Sequence, residues 1–183
     1  ANSGTITADS VTVLGGNLNA TGGAINSDSI VVSGGRLNAG GGTFANKAGT
    51  VGTALVAVSG AGTLDVNADT TLTSVTNAGG AVQVYAALTS AITNTSGTLT
   101  NSGAITGVVT NTGTVNAAGT FSAAIANNAG GQVTVTGASS ADVTNDGGMV
   151  TVLTEQSLTG DISNAGTLTN SGAITGVVTN TGT

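Results

Sequence analysis

Eighteen residues of this chain, GTLTNSGAITGVVTNTGT, occur twice without a change, at Gly97–Thr114 and again at Gly166–Thr183. A unit this short cannot be a domain; it hides its apolar face only by stacking on neighbours of the same kind. The copies lie 69 residues apart, which is four units of about seventeen. An older-looking repeat fills the N-terminal part. Ile6–Ala24 set above Ile25–Thr43 agrees at eleven of nineteen positions. The unit that starts at Phe44 loses most identities, but a nineteen-residue frame puts Val51 under Val32 and Val56 under Leu37. From Leu64 onward the frame shortens. Asn77, Asn94, Asn111, Asn128, Asn145, Asn164 and Asn180 then mark successive units, with spacings of 17, 17, 17, 17, 19 and 16.

The content of the units decides what they are made of. TNTGT, NAGG and SGAG recur every few residues, and glycine at that density is costly inside a helix. The runs between them are four or five residues long, rich in Val, Ile and Thr, and alternate as strands do. With 31 Gly the chain invites a reading as low-complexity disorder. Disorder, however, goes with few apolar residues and high net charge, and here 39% of residues are hydrophobic and the net charge is −6. The apolar residues also keep columns. One inward column reads Val82, Leu99, Val115, Val133, Val150, Leu168. A second reads Leu88, Ile105, Phe121, Ser139, Leu158, Ile174, and a third Ile92, Val109, Ile125, Val143, Ile162, Val178. Between the last two runs a row of small residues, Ser90, Gly107, Ala123, Ala141, Gly160 and Gly176, which suits a narrow interior where two sheets approach closely.

The expected fold is therefore all-β: a parallel β-solenoid of nine to ten coils of 16–20 residues, with about three short strands per coil. The variable coil length disfavours the left-handed form with its strict six-residue sides, and a right-handed solenoid is favoured. Residues 1–183 form a single array, with coils of 19–20 residues over 1–63 and of about seventeen over 64–183. Coils counted from Ile6, Ile25, Phe44, Leu64, Val82, Leu99, Val115, Val133, Val150 and Leu168 stack to a rod on the order of 45 Å long.

Within that fold the candidate sites are few. Each marker Asn follows an inward apolar residue by two positions, as in Ile92/Asn94 and Ile162/Asn164. Its side chain turns inward at a corner, where stacked amides donate to and accept from one another. The competing reading is a polar groove for a ligand. The preceding column, Thr76, Thr93, Thr110, Ala126, Thr144, Ser163 and Thr179, faces solvent. Its uneven spacing and its interruptions argue against an ice-binding surface. The coil from Asn145 to Asn164 is longer than its neighbours, which predicts an outward bulge at Thr154, Glu155 and Gln156 and marks a possible contact point.

Other chemistry is thinly supplied. The chain has no His, no Cys and only two basic residues, Arg36 and Lys47. That removes the usual general base, the thiol nucleophile and the commonest zinc ligands. Asp142 and Asp146 bracket the Asn145 corner and Asp161 lies in another coil, which is not the paired arrangement of a glycosidase. Gly60–Asp69 has the wrong spacing for a calcium-binding roll, and in the column of Asp9 and Asp28 the next member is Lys47, which relieves repulsion without a cation. No enzyme activity, cofactor or metal is expected. Net negative charge disfavours nucleic acid, and no run approaches a membrane span of ~20 apolar residues.

Coils of the type Gly-x-Leu-x-Asn/Ala-x-Gly-x-Ile, with Asn-x-Gly corners and a nineteen-residue register, resemble the passenger repeats of bacterial type V secreted proteins, the filamentous-haemagglutinin-like and autotransporter adhesins. The resemblance spans essentially the whole chain and implies export to the bacterial cell surface and a role as stalk, adhesin shaft or matrix fibre. The absence of Cys fits passengers that cross membranes unfolded. The resemblance also implies that the chain is a mature portion of something longer, with host or matrix glycans as possible partners. Two alternatives stand beside a structural rod. One is a subunit that partners itself, stacking end to end through open terminal coils. The other is a carbohydrate-binding β-helix of the phage-tailspike kind, for which Tyr85 is the one aromatic outside the core columns.

Overall fold

The computed structural model describes residues 2–183. It is all-β, with no helix among the described residues, and every pairing between its strands is parallel. Nine short strands form one sheet, from Asn17–Ala20 and Arg36–Ala39 through Thr98–Asn101 to Thr167–Asn170. The remaining strands form a second, sixteen-stranded sheet. At about 4.8 Å per strand, the nine-stranded stack is roughly 40 Å long.

Three strands per coil describe the C-terminal half, where each coil adds two short strands to the second sheet, such as Ala104–Thr106 and Val109–Asn111. Nearer the N-terminus the two run together as one long strand: Thr5–Val13, Ala24–Val32, Thr70–Ala78 and Ala87–Asn94. The break comes at Gly107, in the row of small residues. Gly107 has φ +137°, and a Cβ there would run into the Ser90 carbonyl oxygen of the coil below. Gly160 and Gly176 repeat this conformation in the last two coils of the stack. At these glycines a side chain is excluded because the backbone of one coil bends against the backbone of the coil before it.

Alternation along each strand places one face inward, as a period of two requires. Val82, Leu99, Val115, Val133 and Val150 are stacked partners in the short-strand sheet, all buried. Ile92, Val109, Ile125, Val143, Ile162 and Val178 are stacked partners in the other. The buried apolar residues form one continuous cluster from Val13 to Ile162. Ser139 is the register partner of Leu158, but the expected column slips before it, since Thr120 pairs with Ser140 and not with Ala138; the Ser139 hydroxyl is buried and donates to the Gly119 carbonyl at 2.9 Å.

The third coil departs from the nineteen-residue frame. Val56 pairs with Ile30, Val58 with Val32, and Leu64 with Leu37. Val51 does not lie under Val32; it is 66% exposed. Between Ala45 and Ala54 the chain leaves the wall in a loop pinned by Asn46, whose Oδ1 accepts from the Thr50 N–H at 2.9 Å and whose own N–H donates to Thr53 Oγ1 at 3.1 Å. Seven extra residues are absorbed there, and this is why identities fade after Phe44. The insertion also moves the coil count from one sheet to the other. Ile6, Ile25 and Phe44 stack in the long-strand sheet, whereas Leu64 and its successors continue the column of Leu18 and Leu37 in the short-strand sheet. The number of coils is unchanged by the switch.

Candidate functional site

The most organised polar feature lies inside the rod. The column that follows the Ile92–Val109 column by two residues begins Val13, Val32, Val58 and continues Asn77, Asn94, Asn111, Asn127, Asn145, Asn164, Asn180. Each amide nitrogen donates to the amide oxygen one coil on. The Nδ2–Oδ1 distances run 2.9, 2.8, 2.8, 2.7, 2.5 and 2.6 Å from the Asn77–Asn94 pair to the Asn164–Asn180 pair. The same nitrogens donate to backbone carbonyls of their own corner and of the next coil. Asn94 Nδ2, for example, lies 3.1 Å from the Gly97 oxygen and 3.0 Å from the Thr114 oxygen.

Of the seven predicted ladder positions the structure places six. The seventh, Asn128, is replaced by its neighbour. Asn127 is fully buried and bridges Asn111 and Asn145, whereas Asn128 turns outward and its carbonyl closes the Gly131 turn at 2.9 Å. The coil between Asn111 and Asn127 is one residue short, so an even spacing of seventeen overshoots. Asn101 is a further buried amide, outside this column. It donates to the Thr120 carbonyl at 3.0 Å and accepts from the Gly103 N–H at 3.2 Å.

This geometry is not that of a groove. From Asn94 to Asn145 the ladder amides are at most 1% exposed, so no ligand reaches them. Their directionality has a consequence at the start of the ladder. Asn77 Oδ1 faces the Val58 coil and has no hydrogen-bond partner, while Nδ2 groups are matched all along the stack.

Acidic side chains serve the wall in a similar way. Asp142 Oδ1 accepts from the Asp161 N–H and Asp161 Oδ1 from the Val177 N–H, both at 2.8 Å. Asp69 does the same for Ala87 at 3.2 Å and Asp28 for Lys47 at 2.9 Å. Lys47, carried on the inserted loop, pairs its ammonium with Asp9, not with Asp28. That hydrogen bond and the Asp9 charge raise the Lys47 pKa.

On the outer face of the short-strand sheet lies one polar patch. Arg36 Nη1 is 2.9 Å from Asp65 Oδ2, Asn67 donates to Asn38 at 2.9 Å, and the Tyr85 hydroxyl donates to Gln83 at 2.7 Å. Asp65 is buried and its Oδ1 unpartnered. Burial pushes its carboxyl upward, opposed by the Arg36 charge.

The bulge lies between Met149–Val152 and Ser157–Thr159. Four residues make this connection, where Thr136 and Gly137 suffice in the preceding coil. Thr154 and Glu155 are exposed, and Glu155 holds a left-handed φ of +63°. Gln156 stays in the wall, its carbonyl accepting from the Ala173 N–H at 2.9 Å.

Comparison with protein-family models, with curated proteins and with solved structures gives no match.

Proposed function

We propose that this chain is a structural, non-catalytic extracellular rod, a length of shaft in a bacterial surface adhesin or filament. One observation carries the reading: the polar groups with a defined arrangement act along the rod axis. The Asn ladder ties coil to coil. The aspartates at the corners accept backbone N–H groups from the next coil. Side chains committed in this way resist extension and leave no converging acid, base and nucleophile. The resemblance to type V passenger repeats supplies the surface location, and adhesion to host or matrix glycans would belong to such a molecule as a whole.

Antibodies against residues 1–183, applied to intact cells of the source, should label the outer surface. The purified polypeptide should release no reducing sugar from bacterial or host glycans. Label confined to permeabilised cells would contradict the location, and glycan cleavage would contradict the structural role.

A further inference from the structure

Three strands of the short-strand sheet, Arg36–Ala39, Thr63–Val66 and Ala81–Val84, carry an outer surface unlike the rest of that sheet. Leu64 and Val66 point into the core, so alternation turns Asp65 outward. The same outward row continues beyond Gln83 as Thr100, Asn116, Thr134, Thr151 and Thr169. Short neutral side chains are therefore enough for this wall. At Asp65 the chain instead sets a carboxylate on the outer face and covers it until it is only 3% exposed. Burying a carboxylate is costly, and an ion pair to Arg36, whose side chain is half exposed, offsets little of that cost. A local loss of stability that the fold does not require is what a binding surface characteristically shows.

We propose that this patch, centred on Asp65, binds a neutral saccharide. Asn38 and Gln83 flank Asp65 as its register partners on the two adjoining coils, about 4.8 Å away on either side. Arg36 and Tyr85 stand at opposite corners, two coils apart. Beside Asp65 and Gln83 the register partners of Arg36 are the short Thr63 and Ala81, so the surface is low there. Tyr85, the one tyrosine of the chain, is half exposed, and its hydroxyl is fixed on Gln83 Oε1. The oxygens of the two flanking amides are occupied, that of Asn38 by Asn67 and that of Gln83 by Tyr85. Asn38 Nδ2 and Gln83 Nε2 are left as donors, and Asp65 Oδ1 as an acceptor without a partner. A ligand hydroxyl reaches that oxygen by a turn of the Arg36 side chain.

The chemistry of the patch selects the ligand. A net charge of −6 and an arginine already paired disfavour an anion. One carboxylate 2.9 Å from a guanidinium is a poor seat for a cation, and an apolar ligand would find a single ring. Saccharide hydroxyls both donate and accept, as the mixture of amide donors and carboxylate acceptor requires, and the C–H face of a sugar ring can lie on the Tyr85 ring. The proposal adds a binding face to the rod and shares with the rod reading only the fold.

Saturation-transfer NMR of residues 1–183 tests the site with neutral oligosaccharides of glucose, mannose, galactose and their N-acetylated amino sugars. Sialylated and uronate-bearing oligosaccharides serve as the comparison. At millimolar concentration at least one neutral oligosaccharide should receive saturation and shift the side-chain signals of Gln83 and Arg36. Tyr85→Ala and Asp65→Asn should each weaken that binding about tenfold, with the circular dichroism spectrum unchanged. Thr151→Ala, on the same outward row but far from the patch, should bind as wild type does. Binding of no neutral oligosaccharide, affinity untouched by both patch variants, or preference for the acidic oligosaccharides would each overturn the site. Labelling of intact cells tests the rod reading separately, so either can fail without the other.

Discussion

A buried amide has to find protein partners for its two hydrogens and its oxygen, since no water reaches it. In the ladder each Asn meets that need from its own corner and from the next coil, so removing one member strands groups on both sides. Asn127→Ala should leave Asn111 Nδ2 and Asn145 Oδ1 short of a partner and cost about 2–4 kcal/mol in denaturant unfolding. The adjacent Asn128→Ala should stay within about 0.5 kcal/mol. Equal effects would mean that the register is wrong. The rule that finds the right residue was legible in the sequence: an inward Asn stands two positions after an inward Ile or Val, and Ile125 points to Asn127. Even spacing hides it, because coil length varies by a residue without disturbing the alternation. Asp65 offers a second test at this scale. Burial raises its carboxyl above the ordinary 3.8, so the folded chain holds that proton more tightly than the unfolded one. The stabilisation this gives is complete below the ordinary value and is lost as pH climbs through the raised one. Wild type should therefore lose stability relative to Asp65→Asn as pH rises from about 4. A difference that is flat or grows with pH would contradict the assignment.

Single elements depend on corners more than on strands. Gly107 combines a left-handed φ with a Cβ position blocked by the Ser90 carbonyl. Gly107→Ala should cost about 1–3 kcal/mol or more and shift the thermal midpoint accordingly. Glu155 is the opposite case, a non-glycine residue at φ +63° in an exposed turn. Glu155→Gly relieves that conformation and should stabilise the chain by up to about 1 kcal/mol. Loss of stability would show that the carboxylate has a partner in this turn. The position of this bulge follows from its coil, nineteen residues from Asn145 to Asn164 against eighteen before it and sixteen after. The larger insertion at 46–53 was not legible, because Val51 happens to fall where a regular frame wants an apolar residue. Only the return of the core at Ala54 and Val56 distinguishes a loop valine from a wall valine.

At the scale of the whole molecule the fold was legible because one constraint recurs in every coil. Strands of about four residues, parallel stacking and a single inward face satisfy it together, and a short repeat has no other way to bury its apolar side. The polar patch around Asp65 was not legible. Arg36 meets Asp65 across the coil that carries the insertion, and Gln83, which holds the Tyr85 hydroxyl, is the register partner of Asp65 one coil on, so no fixed sequence offset links the patch. The central claim is that the coils form one straight stack of parallel rungs. Because the chain has no cysteine, spin labels can be placed at will on the outward column of Thr93, Thr110, Ala126, Thr144, Ser163 and Thr179, whose members are successive register partners. Pulsed electron resonance between Thr93 and each later position should give distances that lengthen by about 4.8 Å per coil, reaching about 19 Å at Ser163 and about 24 Å at Thr179. Distances that fail to grow in equal steps, or that shorten towards the C-terminus, would contradict the stack.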